Sequence, residues 1–238
     1  MDTEQAREGK FLSSRILNDG CKCTTWRNAN YCFAVTVAIV LLNIILYAVC
    51  GSDTGDFSMR YNWGNFSVNN LFQALVNSYT HSNWQHVLLN MLCFLFAGVY
   101  LERKKGSLPF LLFMALMSLF TAFAVCTNDI SVAWRGFSGV NYGLYGYIGI
   151  EYIFTLLLRR KRDIINIVAG AVMLGLIYFA MCFNGGTSSI GFEWYPYDLL
   201  HNLGHASGFV AGLVLGIVEQ GTESVSYTHL TLPTNSRV

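Results

Sequence analysis

Six apolar segments punctuate the chain, near residues 31–50, 84–101, 108–126, 138–158, 164–183 and 199–218. Each is close to the ~20 residues that cross a hydrocarbon core as a helix. Lipid offers no partners to free backbone N–H and C=O groups, so segments of this length are predicted to be helices. The fold class is therefore an all-α membrane bundle of six transmembrane helices. The second and sixth segments are the least apolar, which predicts that neighbours shield them. Residues 51–83 form a long polar-aromatic stretch with Trp63, Phe66, Phe72 and Tyr79, and Trp84 follows. Aromatics of this kind gather at membrane interfaces, so this stretch is predicted to pack on the outer rim. Residues 1–29 are polar and too charged for a cleavable signal peptide. They read as a cytoplasmic tail, residues 30–221 as one membrane domain, and 222–238 as a second tail. The last fourteen residues, Val225 to Val238, change character abruptly and resemble a translated sequencing-adapter read-through. They carry no weight in the expected fold.

Composition agrees with the pattern. The 238 residues are 53% hydrophobic and only 12% charged, and the mean hydropathy is +0.41. Soluble domains carry about 25% charged residues. The net charge of +1 says nothing about nucleic acid, but no basic stripe with interleaved aromatics appears, so a nucleic-acid partner is set aside. Seven cysteines show no disulfide spacing; Cys21-Lys22-Cys23 has no second pair to complete a zinc site, so the thiols read as unpaired. Charge also sets orientation. With the N-terminus in the cytoplasm, the inner side receives Arg7, Lys10, Arg15, Lys22 and Arg27, then Arg103 to Lys105, then Arg159 to Arg162. The outer side receives Arg60 and Arg135. That asymmetry satisfies the positive-inside rule.

In this orientation the second, fourth and sixth segments run from outside to inside. His86 and Asn90 then lie in the first turns of the second, Ser138 opens the fourth, and His205 lies about two turns into the sixth. All four share one shallow depth below the outer face. Ser138 stands between Gly136 and Gly139, which let backbone and substrate approach. At a helix start, N–H groups and the positive dipole end face any developing negative charge. Small-x-small spacing also marks plain helix packing, so this stretch alone leaves both readings open. Ionisable side chains inside membrane segments are costly and default to function, which singles out His205. Its segment carries Gly204, Gly208, Gly212 and Gly216, a smooth groove for a neighbour with Gly139, Gly143 and Gly146. His86 and Asn90 share a helix face and can both donate hydrogen bonds, as an oxyanion site needs, or as interhelical glue does. No acidic third member is evident: Asp129 and Asp198 lie outside the helices and Glu151 too deep. A Ser–His dyad fits better than a triad.

These motifs together resemble the rhomboid family of intramembrane serine proteases. Gly136-Phe137-Ser138-Gly139 is similar to its G-x-S-G, with Ser138 at the nucleophile position. His205, Gly208 and Gly212 match its H-x-x-G-x-x-x-G, with His205 as general base. His86 to Asn90 match its H-x-x-x-N, whose polar residues serve the oxyanion. Tyr142 matches a tyrosine that packs on the catalytic histidine, Glu102 and Gly106 an E-x-x-x-G, and His81 a loop histidine. The resemblance covers roughly residues 30–220. It implies a rhomboid-like bundle, transmembrane protein substrates, a lipid bilayer around the chain, and no metal or organic cofactor. Three positions depart from the pattern. Phe72-Gln73 stands where Trp-Arg is frequent, Asn141 is polar where an apolar residue is usual, and His201 is extra. His201 shares a predicted helix face with His205, so with His86 it could form a zinc site. The H-E-x-x-H of membrane metalloproteases is absent, however. A non-proteolytic rhomboid-like protein that binds membrane clients is the main alternative. A transporter would carry internal repeats, and none is evident.

Overall fold

The computed structural model of the chain describes residues 33–52, 70–125, 135–158, 164–185 and 190–231. In chain order the elements are α1 Ala34–Cys50 and α2 Asn70–Val76, which runs into a 3-10 turn, Asn77–Tyr79. Next come α3 Trp84–Lys105, α4 Ser107–Val125, α5 Ser138–Leu158 and α6 Ile164–Met181. The strands β1 Phe183–Gly185 and β2 Ile190–Phe192 follow, then α7 Tyr197–His201 and α8 Leu203–Thr231. Among the described residues the long helices lie roughly where the apolar pattern predicts helices. The two strands pair antiparallel, Phe183 opposite Phe192, a small exception to an all-helical chain. Trp63, Phe66, Asp129 and the basic run 159–162 fall outside the described residues.

α3, α4 and residues Leu203–Thr222 of α8 are each long and apolar enough to cross a membrane. α1 and Gly170–Met181 of α6 are apolar but shorter. α5 is different: every residue from Gly139 to Gly149 is buried. Protein covers this helix, so it can be built of glycine and tyrosine. The expectation that the second and sixth segments are the shielded ones is corrected here. Their helices, α3 and α8, are 33% and 28% buried across their apolar stretches, against 44% for α4. Leu88, Leu92 and Phe96 of α3, and Val210, Val214 and Ile217 of α8, remain exposed. Nor does α8 break at Val225, where the composition changes; it continues to Thr231.

The end of α3 ties the bundle together. Glu102 is completely buried, and its carboxyl accepts from Val35 N–H at 3.0 Å, Thr36 N–H at 2.8 Å, and the Thr36 and Ser107 hydroxyls at 2.7 Å each. A helix leaves its first N–H groups without internal acceptors. One side chain thus satisfies the first turn of α1 and docks the start of α4. Gly106 closes α3 at φ +86 and donates its N–H to Glu102 O at 2.8 Å. Beside it Lys104 pairs with Glu151 of α5, and Lys105 with Glu219 of α8. Tyr100 and Tyr147 donate to the same two carboxyls, at 2.9 and 2.8 Å. These bonds lock α3, α5 and α8 at one end of the bundle, so Glu151 is committed away from Ser138. The other end of the same three helices carries the candidate chemistry.

Candidate active site

α5 and α8 meet backbone to backbone. A Cβ added to Gly208 would lie 2.1 Å from Gly139 O, and one on Gly212 only 1.9 Å from Gly143 O. The glycine groove inferred from spacing therefore exists and is filled by α5. This closeness brings Ser138, the first residue of α5, to His205 on the first turn of α8. Ser138 Oγ and His205 Nε2 are 2.7 Å apart, within hydrogen-bond reach. The Tyr142 ring, one turn along α5, stacks on the imidazole with centroids 4.3 Å apart and planes 8° from parallel. Its hydroxyl donates to Met181 O at 3.4 Å, tying the stack to the end of α6. Asn202 caps α8: its Oδ1 accepts the His205 N–H at 3.2 Å, as a preferred N-cap residue does.

The turn before Ser138 is set from the other side. Gly136 has φ +112, a conformation other residues rarely adopt, and a Cβ there would stand 2.6 Å from His86 Cε1. The His86 ring thus lies against bare backbone two residues before Ser138. Gly136 N–H donates to Asn77 O at 3.3 Å, and Phe137 N–H to His81 Nε2 at 3.4 Å. To accept at Nε2, His81 must be neutral there. Burial, and then the neighbouring His86, lower its pKa from 6.5 to about 3. The two imidazoles meet edge to face, 5.0 Å apart. Phe137 is fully buried and packs edge-on to Phe94 at 4.7 Å, which pins the turn to the core. Asn83 caps α3 by accepting the His86 N–H at 2.8 Å, and Ser82 Oγ lies 3.3 Å from His86 Nδ1. Asn90, one turn further, meets α5 at Asn141.

The structure thus brings Ser138, His205, Tyr142 and His86 to one place, with Asn90 a turn deeper on the same face as His86. A small cavity opens beside Ser138 and His205, lined among others by Asn77, Ser78, Thr121 and Gly204. His201 is not part of this site, and the expectation that it shares a helix face with His205 is corrected. The helix breaks at Asn202, so His201 ends the separate α7. There its Nδ1 lies 2.9 Å from Tyr197 O and its ring stacks on Tyr197, exposed. Asn is a leading N-cap residue, and Asn202, three before His205, was the signal for that break. The links from Asn77 O and His81 Nε2 to the serine turn were not legible, because they join residues more than 50 positions apart.

A family model described as the rhomboid domain matches residues 68–220. Curated relatives include "Rhomboid protease GlpG" of Salmonella paratyphi A, 23% identical over 189 residues, 78% of this chain and 63% of the relative. Another is "Rhomboid-like protease 1" of Toxoplasma gondii, 27% identical over 154 residues, 62% of this chain and 47% of the relative. The chain therefore spans between about half and two thirds of the length of these relatives. The matched span runs from just before α2 to Gln220 of α8 and takes in every residue of the Ser138–His205 site; the chain belongs to the rhomboid family.

Proposed function

We propose that the chain is an intramembrane serine endopeptidase, a hydrolase that cuts transmembrane segments of client proteins with a Ser138–His205 dyad. The 2.7 Å contact between Ser138 Oγ and His205 Nε2 carries this reading. The relatives' names, which include protease, support it. In the proposed reaction His205 Nε2 takes the Ser138 proton as Oγ attacks the peptide carbonyl carbon. The tetrahedral oxyanion is held by His86, Asn90 and the Ser138 N–H, one of the first-turn donors with no intrahelical acceptor. His205 then gives its proton to the departing amine, and water, activated by the same imidazole, hydrolyses the ester. Tyr142 keeps the ring in plane, and Gly136, Gly139 and Gly208 let the parts approach. The chemistry needs neither a metal nor an organic cofactor. The protein is proposed to cross a cell membrane with six helices, N-terminus in the cytoplasm and Ser138 near the outer face.

The test is labelling of the detergent-solubilised full chain with a fluorophosphonate probe, beside cleavage of a model transmembrane substrate. Wild type should label and cleave; Ser138→Ala should insert, fold and do neither. Losing the nucleophile of a serine protease costs about 10⁶ in kcat. Cleavage by the alanine variant above a few per cent of wild type removes Ser138 from the mechanism. A wild type that neither labels nor cleaves favours the client-binding alternative.

A further inference from the structure

Asn141 is buried on α5 one turn below Ser138, and the mechanism above gives it no part. Its Nδ2 lies 3.0 Å from the backbone oxygen of Asn90 and 3.2 Å from Asn90 Oδ1. The chemistry of those two contacts orients both amides. A backbone carbonyl only accepts, so Asn141 must present its NH2 edge. The Asn90 atom meeting that edge must also accept, so it is the oxygen. The Asn90 NH2 is thereby turned away from Asn141, and it is buried with no hydrogen-bond partner. The cost falls on Asn141 as well, whose own Oδ1 is buried and unpartnered. Buried amide groups in that condition are uncommon. An apolar side chain would fill this place without them.

We propose that Asn141 is a positioning residue for the oxyanion donor. It holds the Asn90 amide in the one flip that leaves NH2, and not oxygen, free for the developing negative charge. His86 sits one turn earlier on the same face of α3 and lies against Gly136, so this face looks onto the serine turn. Without Asn141 the Asn90 amide can turn over, and an acceptor facing an oxyanion repels it. The inference rests on the protease reading and assigns Asn141 a role through Asn90 alone.

The experiment compares kcat, KM and melting temperature of the full chain for wild type, Asn90→Ala, Asn141→Leu and the double variant, on the same model substrate. Asn141→Leu should lower kcat about tenfold, as loss of a residue that orients a functional group does, with KM unchanged. Asn90→Ala should lower it about 10²–10³-fold. The double variant should be no slower than Asn90→Ala. Leucine removes the unpartnered acceptor, so the melting temperature of Asn141→Leu should equal or exceed that of wild type, opposite to a structural role. If Asn141→Leu fails to insert, Asn141→Ala is held to the same kcat and double-variant criteria. Ser138-dependent cleavage with kcat unchanged by the 141 substitution, or with the two penalties multiplying in the double variant, overturns this inference and leaves the protease reading standing. A wild type without Ser138-dependent cleavage overturns that reading and this inference with it.

Discussion

At the scale of single residues, two histidines four apart fall on different helices because the chain breaks at Asn202. Asn202 ends α7 and starts α8, so His205 faces Ser138 while His201 stacks on Tyr197 in the open. A general base must lie about 2.6–3.2 Å from the proton it takes. His205→Ala should therefore lose both cleavage and fluorophosphonate labelling, while His201→Ala keeps at least roughly a tenth of each. A dead His201 variant beside an active His205 variant would break the assignment. His81 sets a different expectation. Its folded pKa, about 3, lies below its ordinary 6.5, so the unfolded chain takes up the proton first as pH falls. Its stabilising contribution is complete above about pH 6.5 and is lost progressively toward pH 3. Melting temperatures of wild type should decline across that window more steeply than those of His81→Asn. Equal slopes would mean that His81 does not stay neutral in the fold.

Between elements, the α5–α8 contact is the feature most sensitive to a single methyl. The obstacles at Gly208 and Gly212 are backbone carbonyls, which cannot rotate away. Gly208→Ala or Gly212→Ala should push the helices apart, lengthen the Ser138–His205 contact and abolish cleavage; a 1 Å misplacement alone can cost about 10²-fold. Gly175 of α6 is the control, since a Cβ there meets nothing within 4 Å. Gly175→Ala should keep full activity and stabilise the helix by about 0.5–1 kcal/mol. Thermal melts and cleavage rates of the three variants decide it; an active Gly212→Ala enzyme contradicts the packing described. Spacing of four made this groove legible in the sequence. The identity of the partner carbonyls, Gly139 O and Gly143 O, was not, because register between helices is a matter of packing.

For the whole molecule, one prediction concerns which way it sits. Single cysteines at Asp56 and Asp129 should react with an impermeant reagent from outside, and those at Lys104 and Lys161 only from inside; the reverse pattern puts Ser138 at the cytoplasmic face. At this scale apolar runs near ~20 residues, bounded by charge, were enough to show a mostly helical membrane chain and roughly where its long helices lie, since the hydrocarbon core permits few other structures. The motif residues Ser138, His205, His86 and Asn90 were also legible, because buried polar groups and small residues stand out within apolar segments. Three matters needed the fold. Which helix is enclosed depends on neighbours: protein covers α5 from Gly139 to Gly149, although the second and sixth segments are the ones singled out by low hydropathy. The break at Asn202 was decided locally by a cap that an apolar window passes over. The contacts that join distant segments, Glu102 to α1 and α4, His81 to the serine turn and Asn141 to Asn90, came only from tertiary packing. Each depends on how two helices are rotated against one another, and no spacing along one chain segment encodes that angle.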